Sequence, residues 1–325
     1  MNTQLTTENF LSPVQELLLK VEERMRSQAE RRHPDLGAAL EHLLSSGGKR
    51  VRPAVALLTG GMLGANPDRL VTLAAAIELL HTATLVHDDL IDGALLRRGI
   101  ATLNAQWSPA ATVLTGDFIF AQAAKLAAET DSVSVMRLFA ETLATIVNGE
   151  ITQLFSSRGL ASQENYYHRI YAKTASMFEL ATAAAALLSP VDECVVEQMR
   201  AYGYHIGMAF QIIDDVLDFT GKESTVGKPV ASDLRQGLIT LPALRYLEMH
   251  PQDGDMLSVL SGNHYNDAVM NKLVSAIRQS GAIQYATEEA HQFIRRGLEM
   301  LTEMPDCPES RALVGLAHYI VQRSL

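Results

Sequence analysis

What most constrains this chain is the lack of a strand pattern. Apolar residues recur at helical spacing nearly throughout, and no run alternates apolar and polar side chains convincingly. Alanine reinforces the pattern: the stretch from Ala181 to Leu188 is interrupted only by Thr182. Alanine has the best intrinsic helix propensity, and its small side chain lets helices pack closely. A first helix is expected over 14–32, ending before His33-Pro34, and a second runs up to Ser45-Ser46-Gly47-Gly48, where glycine stops it. Pro53 suits the first position of a third helix, 53–62, and Asn66-Pro67-Asp68 caps a long fourth that continues to about Asp92. Further helices are expected at 110–129, 132–154, 163–188, 192–219 and 240–249, with two or three more within 266–325. The long unpatterned segment is 221–237, rich in glycine, lysine and serine. With no linker-like shift in composition and no repeat, the economical expectation is one all-α domain over 1–325.

Composition removes several classes of function. Hydrophobic residues make up 47% of the chain, enough for a large core and unlike a disordered chain. The formal net charge of −10, with no basic block, argues against nucleic acid as a partner. Cys194 and Cys307 lack metal-like spacing and read as reduced thiols, so a cytoplasmic protein is expected. The polar, acidic stretch Met1 to Phe10 does not resemble a signal peptide, and no unbroken run of 18 apolar residues suggests a bilayer span.

The strongest chemistry lies in two copies of one pattern, Asp88-Asp89-Leu90-Ile91-Asp92 and Asp214-Asp215-Val216-Leu217-Asp218. Carboxylates at i, i+1 and i+4 place the first and last of each copy one turn apart on one helix face. Groups this close repel, and the repulsion reverses near a divalent cation, since magnesium takes hard oxygen ligands and shares phosphate oxygens. The bland reading of a single copy is a solvated acidic patch at a helix end. Here each copy follows strongly apolar turns, Leu70, Leu73, Ala74, Ile77 and Leu80 before one, Met208, Ala209, Phe210, Ile212 and Ile213 before the other. Carboxylates ending such a stripe oppose the helix dipole and call for a cation. His81 lies two turns before Asp88 on the same face. A lone histidine on an apolar face is more often a satisfied core residue, and this one keeps functional weight because it points along the line of carboxylates.

Magnesium held this way meets phosphate, and phosphate needs cationic donors. Gly47-Gly48-Lys49-Arg50-Val51-Arg52-Pro53 supplies three cations in a glycine-opened turn, without the upstream glycine or the following Ser/Thr of a Walker A loop. Arg97-Arg98-Gly99 follows the first cluster, Lys173-Thr174 lies within a helix, and Lys222 and Lys228 follow the second cluster. Singly, each reads as a solvated surface charge. Together they suit two diphosphates bridged by metal.

These residues resemble the trans-isoprenyl diphosphate synthase family, specifically its long-chain polyprenyl members. The resemblance runs from about Gly47 to Arg323. It rests on the 47–53 turn, His81, Asp88 to Asp92, Arg97-Arg98-Gly99, Gly116-Asp117, Lys173-Thr174, Phe210 to Asp215, Gly227-Lys228-Pro229 and Asp233-Leu234. It implies an antiparallel helical bundle around a central cavity, usually a homodimer. It further implies that Lys49, Arg52, His81 and Arg98 bind isopentenyl diphosphate. Asp88, Asp92 and Asp214 would hold magnesium, three ions per active site, with Asp89, Asp215 and Asp218 supporting. Arg97, Lys173, Thr174, Gln211 and Lys228 would bind an allylic diphosphate such as farnesyl or geranylgeranyl diphosphate. Asp88, Asp92, Arg97, Lys173, Asp214 and Lys228 would carry the catalysis. Three positions depart from the family pattern: Ala101 replaces the usual proline, Ala231 the usual glycine, and Leu238 a lysine common in shorter-chain members.

The implied reaction ionises the allylic diphosphate, joins its cation to the double bond of isopentenyl diphosphate and releases diphosphate. Residues 221–237 are the candidate lid. Ala83 and Thr84 stand one turn beneath Asp88, where related short-chain enzymes carry aromatic residues, so a long product handed on to a membrane is expected. A terpene cyclase is the rival enzyme reading, and the second full cluster together with the 47–53 turn argues against it. A silent partner subunit is the other rival, and such a chain should have lost a cluster or a cationic ligand.

Overall fold

The computed structural model describes residues 10–29, 33–45, 47–97, 99–155, 162–221, 230–261 and 266–323. They form an all-helical fold, as expected. In chain order the helices are α1 (Gln15–Arg26), α2 (Pro34–Ser45), α3 (Val51–Met62), α4 (Pro67–Ile91), α5 (Leu103–Gln106), α6 (Pro109–Ala128), α7 (Val133–Phe155) and α8 (Gln163–Ile170). They continue with α9 (Ser176–Leu187), α10 (Glu193–Thr220), α11 (Ser232–Arg235), α12 (Leu241–Met249), α13 (Gly254–Leu260), α14 (Asp267–Gln279), α15 (Ala282–Glu299) and α16 (Pro308–Gln322).

Local chemistry explains the boundaries. Asn66 caps α4 by accepting the backbone N–H groups of Asp68 and Arg69, and Pro67 occupies a first-turn position that needs no donor. The helix stops at Asp92, where Gly93 takes a φ of +63°. Two expectations needed correction. The helix expected over 163–188 is broken by a π turn, Tyr171–Ala175, between α8 and α9. A two-residue ladder, β1 (Leu96–Arg97) and β2 (Ile100–Ala101), joins α4 to α5. Strands this short leave no alternation for a sequence pattern to show.

The chain folds into two compact units, 1–144, 177–203 and 300–316 in one, 145–176, 204–299 and 317–325 in the other. In the first unit, α4 packs on α6, α3 and α1. By length and composition α4 could cross a bilayer, but Leu73 to Ile77, Leu79 and Leu80 are wholly buried, so it is the core helix of its unit. The second unit has its own core, in which Phe219, Leu234, Met256, Leu273 and Ile277 pack together.

Candidate active site

In the first unit, the C-terminal turns of α4 carry the first aspartate motif. His81, Thr84, Leu85 and Asp88 are half-buried and lie on one stripe, while Leu80, Ile77 and Ala83 beside and beneath them are sealed from solvent. Asp88 therefore stands at the head of an accessible strip about two turns deep. Asp92 is exposed. Asp89 is buried and engaged: Arg97 on β1 donates to its Oδ1 from Nε at 2.9 Å and lies 2.8 Å away through Nη2. The small hairpin thus presents Arg97 to the motif, with Gly99 at φ +77° in its turn.

The basic turn divides in two. Arg50, the left-handed residue before α3, is mostly buried and donates to Glu22 at 3.2 Å, to Glu78 at 2.9 Å and to the Leu44 carbonyl at 3.0 Å. It anchors the turn. Lys49 is exposed, and Arg52 reaches His81, Nη1 to Nε2 at 3.2 Å, with its guanidinium 5.2 Å from the Phe178 ring centre. Arginine only donates, so His81 Nε2 is the acceptor and its proton sits on Nδ1. Arg52 and His81, both assigned to isopentenyl diphosphate on resemblance, are therefore brought together. Just before Asp88, His87 fills the space where a Cβ on Gly116 would stand 2.1 Å from its Nε2, and that nitrogen lies 3.6 Å from Asp117. Gly116-Asp117 thus seats the histidine next to the motif.

In the second unit, Asp214 is 40% exposed and pairs with Arg323 at 2.8 Å. Arg323 also donates to the Phe210 carbonyl at 3.1 Å and lies 4.0 Å from the Phe210 ring centre. Asp215 is buried. It accepts the Tyr166 hydroxyl at 2.7 Å and the Gln211 amide at 2.9 Å, and Gln211 in turn accepts the Thr174 hydroxyl at 2.6 Å. Burial raises the Asp215 carboxyl to about 7, outweighing the hydrogen bonds from Gln211 and Tyr166, which lower it. The Tyr166 phenol is raised too, first by its own burial and then by Asp215. Asp218 spends both oxygens on backbone: Oδ1 accepts the N–H of Ser232 at 3.0 Å and Oδ2 that of Asp233 at 3.2 Å.

Lys173 and Thr174 sit in the π turn, a distortion frequent at functional sites. Lys173 is exposed and meets Glu150 on α7 at 3.0 Å. Beside it, a Cβ on Gly149 would lie 2.5 Å from that of Ala172, so glycine allows the close approach. Arg98, Lys222, Gly227, Lys228 and Pro229 lie outside the described residues, as does the 222–229 stretch of the candidate lid. Ala231, in the family's usual glycine position, adopts the left-handed conformation that glycine favours, at φ +55°.

Sequence reasoning missed Glu150, Tyr166 and Arg323. Tyr166 stands two turns before Lys173, but an aromatic at helical spacing reads as core, and nothing linear ties it to Asp215. Among the described residues, no three His, Cys, Asp or Glu side chains converge into a ready metal cage. The accessible carboxylates Asp88, Asp92 and Asp214 still fit magnesium, which keeps waters and takes substrate phosphates for its remaining ligands.

Residues 33–277 match the polyprenyl synthetase family. The chain belongs to it. It is a chain-elongating trans-prenyltransferase, with long-chain synthases among its relatives. The octaprenyl diphosphate synthase of Escherichia coli is 36% identical over 286 residues, 87% of this chain and 88% of that protein. The heptaprenyl diphosphate synthase component 2 of Geobacillus stearothermophilus is 36% identical over 94% of this chain and 95% of its own length. A crystal structure of a polyprenyl synthase from Caulobacter crescentus, complexed with calcium and isoprenyl diphosphate, superposes with a TM-score of 0.92 at 33% identity, over 98% of both chains.

Proposed function

We propose that this polyprenyl synthetase is a magnesium-dependent, cytoplasmic homodimer, and that each chain forms one catalytic domain. It elongates an allylic diphosphate such as farnesyl or geranylgeranyl diphosphate with isopentenyl diphosphate to an all-trans product handed on to a membrane. The observation that carries the metal assignment is the division of labour within each motif. Asp88, Asp92 and Asp214 are reachable, whereas Asp89 and Asp215 are buried on protein partners and Asp218 is committed to backbone N–H groups. The bound ions, three per site, would supply Lewis-acid stabilisation of charge on the leaving diphosphate. Lys173 and Arg97 add fixed positive charge for the allylic diphosphate, and Gln211 and Thr174 orient it. Lys49, Arg52 and His81 hold isopentenyl diphosphate with its double bond toward the forming cation. Arg98 and Lys228 keep the roles that resemblance gives them. The departing diphosphate takes the final proton, and the apolar flank of α4 keeps water from the cation.

Two further observations support the assembly and the compartment. On α7, Val147, Ile151, Leu154 and Phe155 are exposed at helical spacing, the last at 84%, as an apolar row available to a second copy. Cys194 and Cys307 are free thiols, as suits a reducing compartment.

The heptaprenyl relative is a numbered component, which favours a second reading: a subunit that works only with a different chain. Incubating the purified protein alone with farnesyl diphosphate, isopentenyl diphosphate and magnesium separates the two. Products beyond twenty carbons, read by mass spectrometry after dephosphorylation, support the homodimer. No product from well-folded protein supports the subunit reading.

A further inference from the structure

We propose that Tyr166 and Asp215 are positioning residues, a buried pair that fixes which way the Gln211 amide faces and so prepares the allylic-diphosphate site. This rests on the assignment of Gln211 and Thr174 to that diphosphate. Tyr166, Asp215 and Thr174 are all nearly sealed from solvent, at 2%, 3% and 4% exposure, whereas Gln211 is only half-buried. Hydrogen bonds of 2.7, 2.9 and 2.6 Å join the four in a single line.

The direction of that line follows from which groups can donate. Both oxygens of Asp215 serve as acceptors here, Oδ2 from the Tyr166 hydroxyl and Oδ1 from the Gln211 amide nitrogen. Asp215 therefore requires the nitrogen end of the Gln211 amide at its Oδ1, and the oxygen end must face Thr174, whose hydroxyl donates to it. The Tyr166 hydroxyl satisfies Oδ2, which leaves Oδ1 for Gln211. An amide nitrogen carries two hydrogens, so one N–H of Gln211 goes to Asp215 and the second is left for an anionic oxygen. A reversed amide would turn an acceptor toward the diphosphate. Asp215 thus acts through Gln211, although the motif's spacing places it next to the metal-binding Asp214.

The two roles differ in what they change. Tyr166→Phe keeps the ring and removes only the hydroxyl. It should raise KM for the allylic diphosphate about tenfold, the size of one buried hydrogen bond lost, and leave KM for isopentenyl diphosphate unchanged. Asp215→Asn should do the same with an unchanged magnesium requirement. The double variant should be no worse than Asp215→Asn alone, since both act on one line. Calorimetric titration of wild type and Tyr166→Phe with inorganic diphosphate and magnesium gives a readout independent of turnover, and the variant should bind about tenfold more weakly.

A Tyr166→Phe enzyme with unchanged allylic KM and unchanged diphosphate affinity overturns the proposal, as does an Asp215→Asn enzyme that needs more magnesium at unchanged allylic KM. If Asp215→Asn fails to fold, Tyr166→Phe decides alone. Wild-type protein that elongates nothing overturns the functional reading instead, and the diphosphate titration still judges the pair.

Discussion

The two aspartate motifs have the same spacing and different surroundings. The first ends its helix: Asp92 is the C-terminal cap of α4 and stands exposed before a glycine turn. The second lies inside α10, which continues to Thr220. In the first, the middle aspartate is buried against a cation, Arg97. In the second, it is buried against a tyrosine and an amide, and its carboxyl is raised to about 7. Identical spacing therefore fixes only which residues share a helix face. What each carboxylate does depends on what the rest of its unit brings to it, and the first residue of each motif stays open to solvent in both settings.

If the first residues are the equivalent metal ligands, Asp88→Ala and Asp214→Ala should each lower turnover by about a hundredfold or more, on the order of 3 kcal/mol of lost transition-state stabilisation. Both variants should remain folded by circular dichroism, because removing either carboxylate relieves repulsion within its motif and Arg323, which loses Asp214, keeps the Phe210 carbonyl and ring. Near-normal turnover in either variant would break the parallel between the motifs.

The helices also differ beneath the motifs. Four residues before Asp88 stands Thr84, half-buried; four before Asp214 stands Phe210, whose ring carries the Arg323 guanidinium. On the proposed function, the growing chain runs below the first. Thr84→Phe makes the first helix resemble the second at this position, and should shorten the product from beyond twenty carbons to about fifteen or twenty, since one helical turn spans roughly one prenyl unit. Ala83 is fully buried, so Ala83→Phe should mainly overpack the core, at a cost of about 1–3 kcal/mol. Mass spectrometry of the products and urea unfolding of both variants test this division. A Thr84→Phe enzyme with full-length product would refute it.

The middle aspartate of the second motif should make stability depend on pH. Its ordinary value is about 4 and its folded value about 7, so between the two the folded chain keeps a proton that the unfolded chain has lost. The stabilising contribution is fully present below about 4 and is lost as pH rises through about 7. Metal-free wild type should therefore be less resistant to urea at pH 7.5 than at pH 5, and Asp215→Asn should lose much of that slope. An identical slope in the variant would remove Asp215 as its source.

How far the sequence could be read follows from where each interaction lives. The helices, the motifs and the long α4 were legible because caps, prolines and apolar spacing act over a few residues. Arg52 and His81 were each legible as candidates, but not as a pair, because their contact joins α3 to α4. The close approach of Ala172, in the π turn, was hidden because the glycine that permits it, Gly149, lies more than twenty residues upstream. Only the resemblance set Asp89, Asp215 and Asp218 apart from Asp88, Asp92 and Asp214, because spacing along one helix says nothing about which partners arrive from elsewhere in the chain.

The smallest expected effect separates the last aspartates, Asp92 and Asp218. Asp218 holds the turn before α11 with both carboxylate oxygens, while its own carbonyl accepts the Ala231 N–H at 2.8 Å. Losing such a cap typically costs about 1 kcal/mol. Asp92 ends α4, where a negative charge opposes the helix dipole, so its removal should be neutral or stabilising by a few tenths of a kcal/mol. Asp218→Ala should therefore lower the metal-free unfolding free energy, and Asp92→Ala should not. Ala231→Gly adds a check on the same turn. The left-handed conformation costs a residue with a Cβ about 1 kcal/mol, so glycine should restore much of what Asp218→Ala removes. If instead both Asp→Ala variants unfold alike, Asp218 is not spending its carboxylate on the turn. It would then be as available to magnesium as Asp92, and the two motifs would be alike in function as well as in spacing.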